Sequence, residues 1–273
     1  MGGVVAITGA SNGMGAAAAK LFASRGWQVY GGARRVEKIP TENNIVALKL
    51  DVTVSASNEK FIADILADAG RIDVLINNAG YGEYGPVEDI PLTNARTQFD
   101  TNFFGAAELT QLVLPAMRTQ KSGRIINISS IGGDVYMPLG SYYHATKAAL
   151  QQWSDSLDIE VEPFGIRSVV VQPGGTQSAW GEIAMANATK NLKPDSSYTG
   201  LVNQVQGMLT SNESLSGATS EALAEVFYKA ATDAKPKRRY FHSIGDRLMV
   251  WVARSHPRVF KKAFLTLLKR AKA

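Results

Sequence analysis

Short apolar runs alternate with helix-length segments along most of this chain, and that alternation constrains its fold more than any other feature. VVAIT (4–8), QVYGG (28–32), IVALKL (45–50), VLINN (74–78), RIINIS (124–129), IRSVVVQ (166–172) and RRYFHS (238–243) read as seven strands. Most are apolar on both faces, the pattern of strands covered above and below. Helical patterns at 15–25, 56–69, 93–119, 143–162 and 220–232 separate them. Strand, helix and strand at this spacing make parallel crossover units, so the expected fold is a doubly wound α/β domain on a mostly parallel seven-stranded sheet. With 273 residues, 45% of them hydrophobic, the chain can build one such core. Residues 1–243 are expected to form it, and 244–273 to form a basic amphipathic helical extension. One segment breaks the rhythm: 174–219, rich in Gly, Ser, Asn and Thr with scattered Trp180, Met185, Tyr198 and Met208, reads as a mobile lid over a substrate site.

The first strand runs into TGASNGMG, which places Gly9, Gly13 and Gly15 ahead of a run of alanines. A strand, a tight glycine turn and a helix start aim backbone N–H groups and the positive end of a helix at an open crevice, which suits a pyrophosphate. The plainer alternative is a turn that only needs positive φ. At the end of the second strand, where a dinucleotide's adenosine ribose is held, the chain has Ala33, Arg34 and Arg35 and no carboxylate. Arg offers a planar fork to a 2′-phosphate, so NADP(H) is expected over NAD, with Arg34 ahead of Arg35, which also reads as a solvated charge. Asp51 suits the adenine amino group or a helix cap before Ser55.

YHATK at 143–147 places a phenol and an ammonium four residues apart, on one face of a helix. By spacing alone they are either two surface residues or two groups of one site. The order of motifs bears on that choice. TGASNGMG (8–15), DVT (51–53), NNAG (77–80), Asn102 in TNFFG, ISS (128–130), YHATK (143–147) and PGG (173–175) resemble, in sequence and in order, the short-chain dehydrogenases/reductases of the TGxxxGxG branch. The resemblance implies a Rossmann fold, a nicotinamide cofactor and the catalytic set Asn102, Ser130, Tyr143 and Lys147. It also implies cofactor contacts from Gly9, Ser11, Asn12, Gly13, Met14 and Gly15, from Arg34, Arg35, Asp51 and Val52, and from Asn78, Ala79 and Gly80. Tyr143 and Lys147 belong to that set, as do Pro173, Gly174, Thr176 and Ser178. Family spacing selects Ser130 over Ser129, and the Lys at i+4 selects Tyr143 over Tyr142. Where the family often has a Thr five residues after the Pro, this chain has Ser178, so either Thr176 or Ser178 is expected to hold the carboxamide.

The chemistry accounts for these residue types. Hydride arriving at a carbonyl carbon leaves negative charge on oxygen, which needs hydrogen-bond donors and then a proton. Ser130 supplies a donor and Tyr143 the proton. A free Tyr titrates near 10, and a cation about 5 Å away at an effective dielectric of about 20 favours the phenolate by roughly 3 kcal/mol, so Lys147 is expected to lower the phenol's pKa. By resemblance Lys147 also holds the nicotinamide ribose and Asn102 supports a water chain. His144, turned about 100° round the helix, is expected to play no catalytic part. The expected activity is NADP(H)-dependent exchange of hydride with a carbonyl or secondary alcohol. A nucleotide-sensing binding protein and an epimerase or dehydratase are the alternatives.

The chain has no cysteine, which excludes disulfides and thiolate chemistry, and no metal site is expected. The N-terminus reads as a core strand and not an export signal, so a cytoplasmic location is expected. From Lys235 onward there are 12 basic residues and one acid, against 17 basic and 23 acidic before it. Basicity therefore belongs to the tail, and nucleic acid is not expected as a partner. In the tail, Leu248, Trp251, Val252, Phe260, Phe264 and Leu267 are expected to pack on the body or a neighbouring subunit, with a basic membrane-surface anchor as the less favoured reading. Leu109, Leu112, Val113, Leu150, Trp153 and Leu157 exceed one sheet-facing stripe, and family resemblance makes their two helices an interface of a homodimer or homotetramer.

Overall fold

The computed structural model describes residues 2–42, 44–176, 180–211 and 217–270. Seven strands, β1 (Val4–Thr8), β2 (Gln28–Ala33), β3 (Ile45–Lys49), β4 (Val74–Asn77), β5 (Gly123–Ile128), β6 (Ile166–Val171) and β7 (Arg239–Tyr240), form one sheet in the order β3-β2-β1-β4-β5-β6-β7. Every pairing is parallel, where a mostly parallel sheet was expected. Strand order reverses between β1 and β4, which opens a crevice beyond their carboxyl ends.

Alternation along the strands divides the core in two. Val5, Ile7, Val74, Ile76, Ile126, Val169 and Val171 face α1 (Gly13–Ser24) and α8 (Ser220–Thr232), packing on Phe22 and Phe227. The opposite face of the sheet, with Ala6, Tyr30, Leu75 and Ile125, packs on α2 (Ser55–Ala69), α4 (Gly105–Gln120) and α5 (Ser141–Val161) through Phe61, Ile65, Leu109, Val113 and Leu157. Burying each such side chain contributes about 1.5–3 kcal/mol, which is why both-face apolar strands demand helices on both sides.

Three expectations need correction. The pattern at 93–119 is not one helix: α3 (Leu92–Phe99) passes through a π turn, Asp100–Phe104, into α4. Periodicity does not reveal the extra residue of a π turn, which commonly marks a functional site. The described residues of 174–219 make more than scattered apolar contacts: they form α6 (Trp180–Lys190) and α7 (Thr199–Ser211), which bury Ala184, Met185, Ala188, Val202 and Val205. Its polar residues interrupt the apolar periodicity, and some turn inward: Asn187 donates to the Gly82 carbonyl and Asn191 to the Tyr84 carbonyl.

The tail forms α9 (Ile244–Ser255) and α10 (Pro257–Arg270), with Pro257 at the first helical position, where a missing N–H costs nothing. Within the chain, only half of its expected packing set meets the body. Val252, Phe260 and Phe264 are half-buried, but Leu248, Trp251 and Leu267 are exposed, and the buried tail residues are Ala253 and Leu268. Among the interface candidates, Leu109, Val113, Leu150 and Leu157 are consumed by the body, while Leu112 and Trp153 stay half-exposed, and Phe103 links Trp153 to an exposed Phe104. Among the described residues no helix is long and apolar enough to cross a membrane.

Candidate active site

The glycine turn forms because its backbone goes where side chains cannot. Gly9 and Gly13 have φ of 70° and 52°. A Cβ on Gly15 would lie 2.3 Å from the Gly9 carbonyl oxygen, so only glycine lets the first turn of α1 close on β1. Thr8 ties this turn to the end of β4: its hydroxyl accepts from the N–H groups of Asn78 (2.9 Å) and Ala79 (2.8 Å). The Asn78 amide donates back to the Thr8 carbonyl at 2.9 Å. Asn12 precedes α1 without a side-chain cap, and the first turn carries no acid. The helix N–H groups are thus left for an anion beside half-buried Ser11 and Met14.

Arg34 and Arg35 follow β2, both exposed, and neither makes an ion pair among the described residues. Asp51 sits near Arg34. Burial pushes its carboxyl up, but hydrogen bonds from the Thr53 hydroxyl and N–H and the charges of Arg34 and Lys49 outweigh burial and hold it below the usual range. It does not cap α2, whose cap position is Val54; the carboxylate closes on Thr53 instead. Val52 is buried, and a Cβ on Gly105 would meet its carbonyl oxygen at 2.6 Å, so α4 abuts the backbone here. These features fit a dinucleotide: a cradle that side chains would fill, an uncapped helix N-terminus and uncommitted guanidinium groups at the ribose end.

Beyond β4 and β5 the four expected catalytic residues come together. Lys147 is buried, and its Nζ donates to the Ile128 carbonyl at 2.8 Å and lies 5.9 Å from the Tyr143 ring centroid. The Tyr143 hydroxyl is hydrogen-bonded to Ser130. Asn102, carried in by the π turn, accepts from the Tyr81 N–H (3.0 Å) and donates to the Tyr81 carbonyl (2.9 Å) and the Thr146 hydroxyl (3.1 Å). A Cβ on Gly80 would meet Asn102 Oδ1 at 3.1 Å and Lys147 Nζ at 3.5 Å, so glycine there lets the two approach. Ser129 is spent on structure: it donates to the Lys147 carbonyl and accepts from Gln151, both at 3.0 Å. Ser130 opens toward the crevice, accepting from the Gly132 N–H at 3.0 Å and donating to the Pro173 carbonyl at 3.3 Å.

The electrostatics reverse one expectation. Burial pushes the Tyr143 hydroxyl up to about 12, and the Ser130 hydroxyl offsets this only in part. The net direction is opposite to that expected from the Tyr–Lys pair, because the loss of water around the phenol outweighs the Ser130 hydrogen bond. Lys147 responds in the same way: burial lowers it to about 8. Tyr143 is therefore held protonated at neutral pH.

Several contributors carry no sequence signal. Tyr84 is buried with its ring 5.7 Å from that of Tyr143, in an apolar cluster with Leu139, Met185 and Leu268. His144 positions the loop before α5. Its Nδ1 contacts the Gly132 carbonyl at 2.8 Å and its Nε2 accepts from the Met137 N–H at 3.3 Å, which fixes the tautomer as Nδ1–H. Gly174 is approached by α9: a Cβ there would lie 2.1 Å from Asp246 Oδ1. Thr176 bridges Ala218 through the backbone. Ser178 lies outside the described residues, so the choice between Thr176 and Ser178 stays a proposal.

A parallel sheet with its crevice at the strand-order reversal, a glycine turn at a helix N-terminus and a Ser–Tyr–Lys cluster whose Tyr and Lys are buried define an oxidoreductase of the Rossmann type. Residues 3–188 match the short chain dehydrogenase family, and the chain belongs to that family. It is 42% identical over 173 residues to the 3-ketodihydrosphingosine reductase of Bacteroides thetaiotaomicron, covering 63% of each chain. It is 30% identical over 248 residues to the NADPH-dependent 3-dehydrocapnine reductase of Ornithobacterium rhinotracheale, covering 86% of each. Among solved structures, a short-chain dehydrogenase from Streptomyces avermitilis superposes with a TM-score of 0.82 at 30% identity over 100% of both chains.

Proposed function

We propose that the chain is an NADP(H)-dependent reductase of ketones carried on apolar molecules, able to run in reverse on the secondary alcohol. The observation that carries this reading is the buried Tyr143, hydrogen-bonded to Ser130 and kept protonated next to Lys147. When bound, the nicotinamide supplies the hydride. The chain's own residues manage the charge and proton that follow. Ser130 donates a hydrogen bond to the carbonyl oxygen and fixes its direction. Tyr143 passes its phenolic proton to that oxygen as negative charge develops, and Lys147 stabilises the phenolate left behind. Asn102, anchored by Tyr81 and Thr146, supports the path by which the proton is replaced.

Gly9 to Gly15, Asn78 to Gly80 and Pro173 to Thr176 would hold the cofactor, and Arg34 would hold the 2′-phosphate. The relatives named as reductases, one of them NADPH-dependent, support the direction and the cofactor. The apolar cluster of Tyr84, Leu139 and Met185 around Tyr143 supports an apolar body on the substrate. The test is NADPH consumption against a carbonyl panel, with Tyr143→Phe alongside. The variant is expected to lose turnover while binding NADPH within a few-fold. Retention of about a tenth of the activity, only about 1.4 kcal/mol of barrier, would remove Tyr143 from the acid's role.

A further inference from the structure

The tail helices turn one face inward and, among the described residues, leave another without a partner. Inward, Leu268 joins the cluster around Tyr143, Tyr136 donates to the Pro257 carbonyl at 3.3 Å, and Arg254 pairs with Asp134 at 2.6 Å. Outward, Ile244, Leu248 and Trp251 stand at i, i+4 and i+7 of α9, one helical stripe, with 87%, 57% and 55% of their surface exposed. A stripe of this kind ordinarily faces a core. Here it faces solvent.

Charge indicates what covers it. Residues 244–270 hold seven basic residues and one acid, Asp246, which points in at Gly174. Arg258, Lys261, Lys262 and Lys269 share an open groove of about 410 Å³ along α10. This groove adjoins, through Lys261 and Leu265, an apolar cleft of about 370 Å³ that reaches Met137 and His144, the neighbour of Tyr143. We propose that the outer face of α9 and α10 docks on an anionic lipid surface. The Ile244–Leu248–Trp251 stripe enters the acyl boundary, and the α10 cations meet lipid phosphates. Docked in this way, the cleft opens at the level of the headgroups, where an apolar ketone would enter. A second copy of the chain is the poorer occupant, because apposing two such tails brings like charges together without acids between them.

The proposal does not depend on which ketone is reduced, and binding is read without substrate. Full-length protein is floated with vesicles of phosphatidylcholine alone and with about 30% phosphatidylglycerol, and Trp251 emission is followed with Trp251→Phe as the control. Flotation with the anionic vesicles only, a blue shift lost in the control, and release by salt are expected. The triple variant Ile244→Ser, Leu248→Ser, Trp251→Ser is expected to lower partitioning by about tenfold or more. Lys262→Glu with Lys269→Glu is expected to lower it by roughly tenfold or more at low salt. Both variants should keep wild-type turnover of a water-soluble ketone. Absence of flotation, equal flotation on neutral vesicles, or a lipid-free assembly that the triple variant breaks into smaller species would each overturn the proposal, the last by identifying a second copy as the occupant.

Discussion

Replacing Lys147 by methionine separates the two consequences of burying that ammonium. Met keeps most of the length and removes the charge. In the folded protein Lys147 titrates near 8 against an ordinary value of 10.5, with burial as the cause. Between those values the folded state binds fewer protons than the unfolded chain, so this residue's contribution to stability rises with pH across the window. Its full cost is present below about 8. That cost is about 3 kcal/mol. The lost hydrogen bond to the Ile128 carbonyl takes back about 1.5 kcal/mol. Lys147→Met is therefore expected to be more stable at pH 7 by about 1–2 kcal/mol, an advantage that disappears by about pH 10.

Catalysis moves the other way. A cation 5.9 Å from the Tyr143 ring, at an effective dielectric of about 20, favours a full phenolate by about 3 kcal/mol. With half the charge developed in the transition state, its removal costs about 1.5 kcal/mol, or roughly tenfold in kcat/KM in both directions, before any loss of cofactor affinity. The wild-type rate should also decline as pH rises through about 8, where Lys147 loses its charge, and the variant should lack that limb. Urea unfolding at pH 7 and 10 and a pH series of kcat/KM check both halves. A variant that is less stable at pH 7, or one that keeps the alkaline limb, would refute the assignment of these effects to the buried ammonium.

Arg34→Asp is expected to weaken NADPH binding by tenfold or more while leaving NADH little changed, because the carboxylate repels a 2′-phosphate and accepts from a bare ribose; titration by cofactor fluorescence checks it, and equal losses would move the phosphate contact elsewhere. Leu268→Ala is expected to cost about 2 kcal/mol, read as a lower urea midpoint, since this residue closes the cluster around Tyr143 and Tyr84; an unchanged midpoint would mean that α10 is not part of the cooperative unit. Light scattering at micromolar concentration is expected to show a dimer or tetramer joined through the α4–α5 face, and Phe104→Glu is expected to dissociate it, because Phe104 is exposed there and is linked to Trp153 through Phe103. A monomeric wild type would end that expectation.

The runs that became β1 to β6 were legible to within a residue or two, because a strand apolar on both faces has few places to go except the middle of a parallel sheet. Gly9, Gly13 and Gly15 were legible for a similar local reason: turn geometry and close backbone approach exclude side chains there. The i, i+4 pair of Tyr143 and Lys147 needed only helical periodicity. What depended on neighbours distant in sequence was not legible. The π turn that presents Asn102, the place of Tyr84 against Tyr143, and the helices within 174–219 all arise from packing between elements. The sequence alone marked α9 and α10 as amphipathic, but only tertiary structure decided that Leu268 turns in while Leu248 and Trp251 turn out. The acidity of Tyr143 shows the division most clearly. Local sequence places a cation four residues away and argues for a lower value, whereas the fold removes the water around the phenol and sets the net direction upward.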